Sequence, residues 1–93
     1  MALKHIDVTL SGSTRVTATR TPVQQVILHS PAGNASVTMG SSSLSATSYG
    51  ILVAAAANSP ALGPFTASAP FDLSELYVRG TDAQVVHLIY ITH

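Results

Sequence analysis

The side chains able to do acid–base or metal chemistry are few: the carboxylates Asp7, Asp72, Glu75 and Asp82, and the imidazoles His5, His29, His87 and His93, in a chain of 93 residues. General acid–base catalysis needs such groups gathered in one cleft. Asp72 and Glu75 are the nearest pair in sequence, and their three-residue spacing is that of a helix capping box, which accounts for them structurally. Asp82 lies between Thr81 and Ala83 in what reads as a hairpin turn, where Asp bonds its own backbone. Imidazole is the commonest metal ligand, and His5, His29, His87 and His93 could converge across neighbouring strands, yet none of the four shows ligand spacing. His87 and His93 fall on one strand face but about 20 Å apart along an extended chain, too far to share an ion. A symmetric oligomer could gather copies of one histidine around an axis as a structural ion site; a histidine satisfied by a carbonyl or water is the plainer reading. Cysteine is absent, which removes disulfides, thiolate metal sites and thiol nucleophiles together.

Serine is abundant, but no G-x-S-x-G elbow occurs; the nearest stretch, Gly40-Ser41-Ser42-Ser43-Leu44, lacks the closing glycine. Neither G-x-G-x-x-G nor a P-loop is present. Asn34-Ala35-Ser36 fits the glycosylation acceptor pattern, and a turn asparagine explains it equally. Two Phe, three Tyr and no Trp are poor material for a sugar-stacking platform. Four basic and four acidic residues leave a formal charge of zero, so no electrostatic footprint points to nucleic acid or an anionic membrane. The expectation is a non-enzyme with no catalytic residue, no cofactor and no metal.

The elements that would position these groups are strands. Glu, Lys and Gln are scarce, Ser and Thr abundant, and apolar residues make up 46% of the chain, enough for one core in one domain spanning residues 1–93. Residues 4–10 alternate, with Ile6, Val8 and Leu10 on one side and His5, Asp7 and Thr9 on the other. The N-terminal segment has no secretory h-region, and the longest apolar run, residues 51–57, is too short to cross a bilayer as a helix. A turn at residues 11–13 leads to a strand over 14–18, closed by Pro22. Residues 23–29 and 35–39 read as a hairpin about the Pro31–Asn34 loop. A short edge strand is expected over 44–47 and a buried one over 49–54. The alanines at 54–57 fit either a helical turn or loop, and 58–70 reads as loop with at most one short strand. Asp72 then caps a single helical turn that points Leu73 and Leu76 inward, before a strand at 77–79. Residues 84–92 form the last strand, and both faces are apolar: Val85, His87, Ile89 and Ile91 on one, Val86, Leu88 and Tyr90 on the other. Such a strand lies between two covered layers, or one side meets another subunit. Seven or eight short strands punctuated by Gly, Pro and Ser predict an all-β fold, an antiparallel β-sandwich or jelly-roll-like barrel.

Several segments carry a resemblance. Val26-Ile27-Leu28, Val37-Thr38-Met39-Gly40, Leu44 to Leu52 with its Tyr49-Gly50-Ile51-Leu52, Phe71-Asp72-Leu73-Ser74-Glu75-Leu76-Tyr77-Val78-Arg79-Gly80 and Val85 to Tyr90 together resemble small virion proteins of tailed bacteriophages, over about residues 23–92. The resemblance implies a β-sandwich, commonly trimeric, used for head decoration (cement) or for fibre and adaptor subunits, and it brings no catalytic or cofactor residue. It implies a protein made in the bacterial cytoplasm and mounted on the capsid surface, where it binds the major capsid protein and stabilises the head. A tail, baseplate or head-fibre subunit is the alternative, and a carbohydrate-binding module a further one. On this reading Val85, His87, Ile89 and Ile91 form the subunit interface. The strand at residues 1–10, with Leu3, Lys4 and His5, is the attachment segment or a subunit contact.

Overall fold

The computed structural model describes residues 2–45, 47–66 and 68–92. Among the described residues, nine strands form two antiparallel sheets packed face to face: β1 (Leu3–Thr9), β2 (Ser13–Arg15), β3 (Pro22–Ser30), β4 (Val37–Gly40), β5 (Ile51–Val53), β6 (Ala57–Asn58), β7 (Phe71–Asp72), β8 (Tyr77–Arg79) and β9 (Val85–Thr92), with one 3-10 turn, Leu73–Glu75, between β7 and β8. One sheet runs β1-β9-β3-β6, with β7 also on β3; the other runs β2-β8-β4-β5. The two sheets stay separate, so the fold is a sandwich and no barrel closes. The β-sandwich expectation is met.

The core is built from the inward-facing half of each alternating strand. Val8 and Leu10, Val26 and Leu28, and Val86, Leu88 and Tyr90 from one sheet meet Val37, Met39, Val53 and Val78 from the other, with Leu73 and Leu76 wedged between. Val23 and Val26 are both buried although three residues apart. A bulge between Val23 and Gln25 adds a residue to β3 and resets its phase. Segment 57–72 then covers the outer edge of β3 in short pieces: β6 at one end, a bridge from Leu62 to Val26, and β7 at the other.

Sheet switching overturns some of the sequence expectations. The hairpin expected about Pro31–Asn34 does not form, because β3 and β4 belong to different sheets. The loop is instead tied across the sandwich, Asn34 Nδ2 donating to the Val85 carbonyl at 2.6 Å. Among the described residues, β4 and β5 are the only consecutive strands that pair with each other. The turn at Asp82 is likewise a crossover from β8 to β9, and the Asp82 carboxylate accepts from the Gly12 N–H at 2.9 Å, not from its own turn. Residues 49–54 give only the edge strand β5, with Leu52 57% exposed, so this strand is buried on one face alone. Leu44 and Ser45 join no ladder; Leu44 turns into the core region, and Ala46 of that expected strand lies outside the described residues. Pro22 opens β3 and does not close the segment before it.

The single helical turn stands where the spacing put it. Asp72 Oδ1 accepts from Ser74 N at 3.0 Å and Ser74 Oγ at 2.8 Å, and also from Thr21 N at 3.0 Å, which ties the cap to the start of β3. Glu75 is exposed and forms no return bond to the cap, so the box is half made. The Thr21 N–H holds the Asp72 carboxyl below its usual range; burial pulls the other way, and the Ser74 N–H, the Ser74 hydroxyl and nearby Arg20 add to the lowering.

Candidate functional site

The final strand resolves its own anomaly. β9 is central, paired with β1 on one side and β3 on the other, and its Val86–Leu88–Tyr90 face fills the core. The opposite face is bare. Register places the outward side chains in rows: Leu3, Ile91 and Gln25; then His5, Ile89 and Ile27; then Asp7, His87 and His29, continued by Asn58 of β6. The first two rows make an apolar field in which Leu3 is 69% and Ile89 45% exposed, while Ile27 and Ile91 are half-buried. Shallow hollows on the same face lie between Gln25, Ile27, Ile89 and Ile91, and between His5, His29, Asn58 and His87.

This arrangement joins residues that the sequence assigned to separate surfaces. Leu3 and His5, expected in a capsid contact, are direct cross-strand neighbours of Ile91 and Ile89, expected in a subunit interface. Val85 closes the same face opposite Thr9, half-buried. Lys4 departs from the group: it pairs with the core residue Tyr90 and so sits on the opposite side of β1, exposed at the sandwich margin. β1 is the free edge of its sheet, and a lysine turned toward the inner side there discourages edge-to-edge pairing with another chain.

The polar row has a definite hydrogen-bond order. His87 Nδ1 lies 2.6 Å from Asp7 Oδ1, and a carboxylate only accepts, so the imidazole donates through Nδ1. His29 Nδ1 lies 2.7 Å from Asn58 Oδ1 and donates to that carbonyl oxygen in the same sense. The two rings stack loosely, centroids 6.3 Å apart and planes 23° from parallel. An aspartate holding a histidine is the base-orienting half of a hydrolytic triad. Among the described residues no serine or threonine hydroxyl is hydrogen-bonded to either ring. His93 lies outside the described residues. The sequence raised convergence of the histidines across strands but could not pair them, because His29 and His87 are 58 positions apart and meet only through the β3–β9 register.

A second apolar recess opens at the other margin of the sandwich, between Met39, Ile51, Leu62 and Leu76, with Phe65 and Phe71 stacked at 5.4 Å on its wall. It holds one ionisable neighbour, Glu75. Comparison of this chain with protein-family models, with curated proteins and with solved structures finds no match.

Proposed function

We propose that this chain is a non-enzymatic structural protein of a tailed-phage virion, a decoration protein that assembles as a homotrimer on the head, binds the major capsid protein and reinforces the shell. The observation that carries the reading is the apolar outer face of the β1-β9-β3 sheet, where exposed Leu3 and Ile89 lie beside half-buried Ile27 and Ile91. Isolated exposed apolar residues need no explanation, but a contiguous field at the centre of a sheet is what an assembly contact presents. A sandwich of this size has little stability to spare, and association adds to it by mass action. The resemblance in residues 23–92 to small virion proteins supplies the particle. Repetition by symmetry then makes modest contacts durable.

Mixing the purified chain with mature, undecorated heads tests the proposal. Co-sedimentation to a saturating stoichiometry that matches the shell's symmetry is the expected result. Failure to bind heads, together with binding to tails or baseplates, would replace decoration with the alternative structural role.

A further inference from the structure

The row Asp7–His87–His29–Asn58 sets two imidazoles side by side, each with its Nδ1 held by an oxygen acceptor. We propose that His29 and His87 form a two-imidazole site for a borderline divalent transition-metal ion, Zn2+ or Cu2+, bound through their Nε2 atoms, with water completing the coordination.

Histidines that ligate metals almost always donate the other ring N–H to a carboxylate or carbonyl oxygen, which fixes the tautomer and aims the lone pair. Both rings here are held in that way, His87 by Asp7 at 2.6 Å and His29 by Asn58 at 2.7 Å. Each Nδ1 is thereby occupied as a donor, and each Nε2 keeps its lone pair. The two rings belong to directly paired residues on adjacent strands, so the backbone fixes their separation. With Zn–N near 2.1 Å, two imidazoles on one tetrahedral ion have ring centres about 5 Å apart. The rings stand 6.3 Å apart and 23° from parallel; because an imidazole binds a metal in its ring plane and not through its face, both must turn about their side-chain torsions to bring the two Nε2 lone pairs onto one ion. Nitrogen ligands of this kind select zinc, copper or nickel over calcium and magnesium, which take oxygen. Among the described residues no third His or carboxylate joins the pair to make a fuller ligand set, so the ion would keep exchangeable positions open to water or to a second copy. The proposal concerns a single copy of the chain and stands whether or not the sheet face mediates assembly.

Calorimetric titration of the tag-free chain with ZnCl2, followed by a nuclear magnetic resonance titration with Cu2+, tests it. One ion per chain is expected, and substoichiometric Cu2+ should broaden the resonances of residues 27–29 and 86–88 first. His29→Ala and His87→Ala should each weaken zinc binding at least tenfold, and Asp7→Asn several-fold through loss of ring orientation. His5→Ala and His93→Ala should leave it within about twofold. His5, Asp7 and His29 are exposed and His87 is half-buried, and circular dichroism of each variant confirms the fold. Absence of zinc binding, affinity unchanged in both His29→Ala and His87→Ala, or binding that follows His5 or His93 would each overturn the proposal.

Discussion

Gly80 sits where the chain leaves β8 in one sheet to reach β9 in the other, and a methyl group there has nowhere to go. A Cβ built on it falls 2.8 Å from Leu10 Cδ1 and 2.8 Å from Val37 Cγ1, side chains that are themselves 1% and 0% exposed. Two effects oppose each other in Gly80→Ala. Restricting the unfolded chain stabilises by about 0.4–1 kcal/mol where the new residue fits. Forcing a methyl into a packed core costs about 1–3 kcal/mol. Neither neighbour is a flexible tip at the surface, so the second effect wins, with a net loss of about 1–2 kcal/mol. For a domain of this size that lowers Tm by roughly 5–15 °C. Gly33 provides the control: its loop position has an ordinary backbone conformation and nothing within 4 Å of a built Cβ. Gly33→Ala should therefore leave Tm unchanged or raise it by a few degrees, through the unfolded-state term alone. Differential scanning calorimetry of both variants reads the contrast. If Gly80→Ala raised Tm as Gly33→Ala does, the crossover would not pass between Leu10 and Val37, and the packing of the two sheets would need redrawing.

Ile89→Lys probes the outer face without touching the core. Full burial of isoleucine is worth about 1.5–3 kcal/mol, and Ile89 is 45% exposed, so self-association should weaken at least tenfold while Tm of the dilute protein barely moves; sedimentation over a concentration series measures both ends. Asp72→Asn tests the cap. Because the folded carboxyl titrates below its usual value, the charged cap stabilises above about pH 4 and that contribution disappears as pH falls through the lowered folded value. Wild-type Tm should accordingly drop more steeply on acidification than that of Asp72→Asn, with the two curves converging at the acid end. Asp82→Ala removes the acceptor for the Gly12 N–H and should cost about 0.5–1.5 kcal/mol; faster amide exchange at Gly12, 70 positions away, distinguishes this long-range tie from a merely local turn.

Alternation along residues 4–10 located β1 and the side it buries, because a period of two is a direct imprint of a half-buried strand; residues 84–92 marked β9, but with both faces apolar they did not say which side fills the core. The cap at Asp72 was equally legible, since capping is a local interaction. Pairing was not. Loops rich in Pro, Gly and Asn look alike whether they close a hairpin or carry the chain across a sandwich, so the Pro31–Asn34 and Asp82 turns were assigned to hairpins when the bonds from Asn34 and to Asp82 are long-range. The bulge in β3 was hidden for a related reason: Val23 and Val26 fit neither a strict alternation nor a helix, and only the β9 partner shows where the extra residue falls. The double-sided character of β9 left open either a second covering layer or a contact with another subunit; Leu3 and His5 join its outer face only through the β1–β9 register, and His29 meets His87 only through β3–β9.

The open face of the β1-β9-β3 sheet is proposed as a contact between molecules. Native mass measurement of the unmodified chain, over a concentration series, tests this most directly. A trimer that gives way to smaller species on dilution is the predicted result. A monomer that persists to the highest attainable concentration, with Leu3 and Ile89 remaining open to solvent, would contradict it.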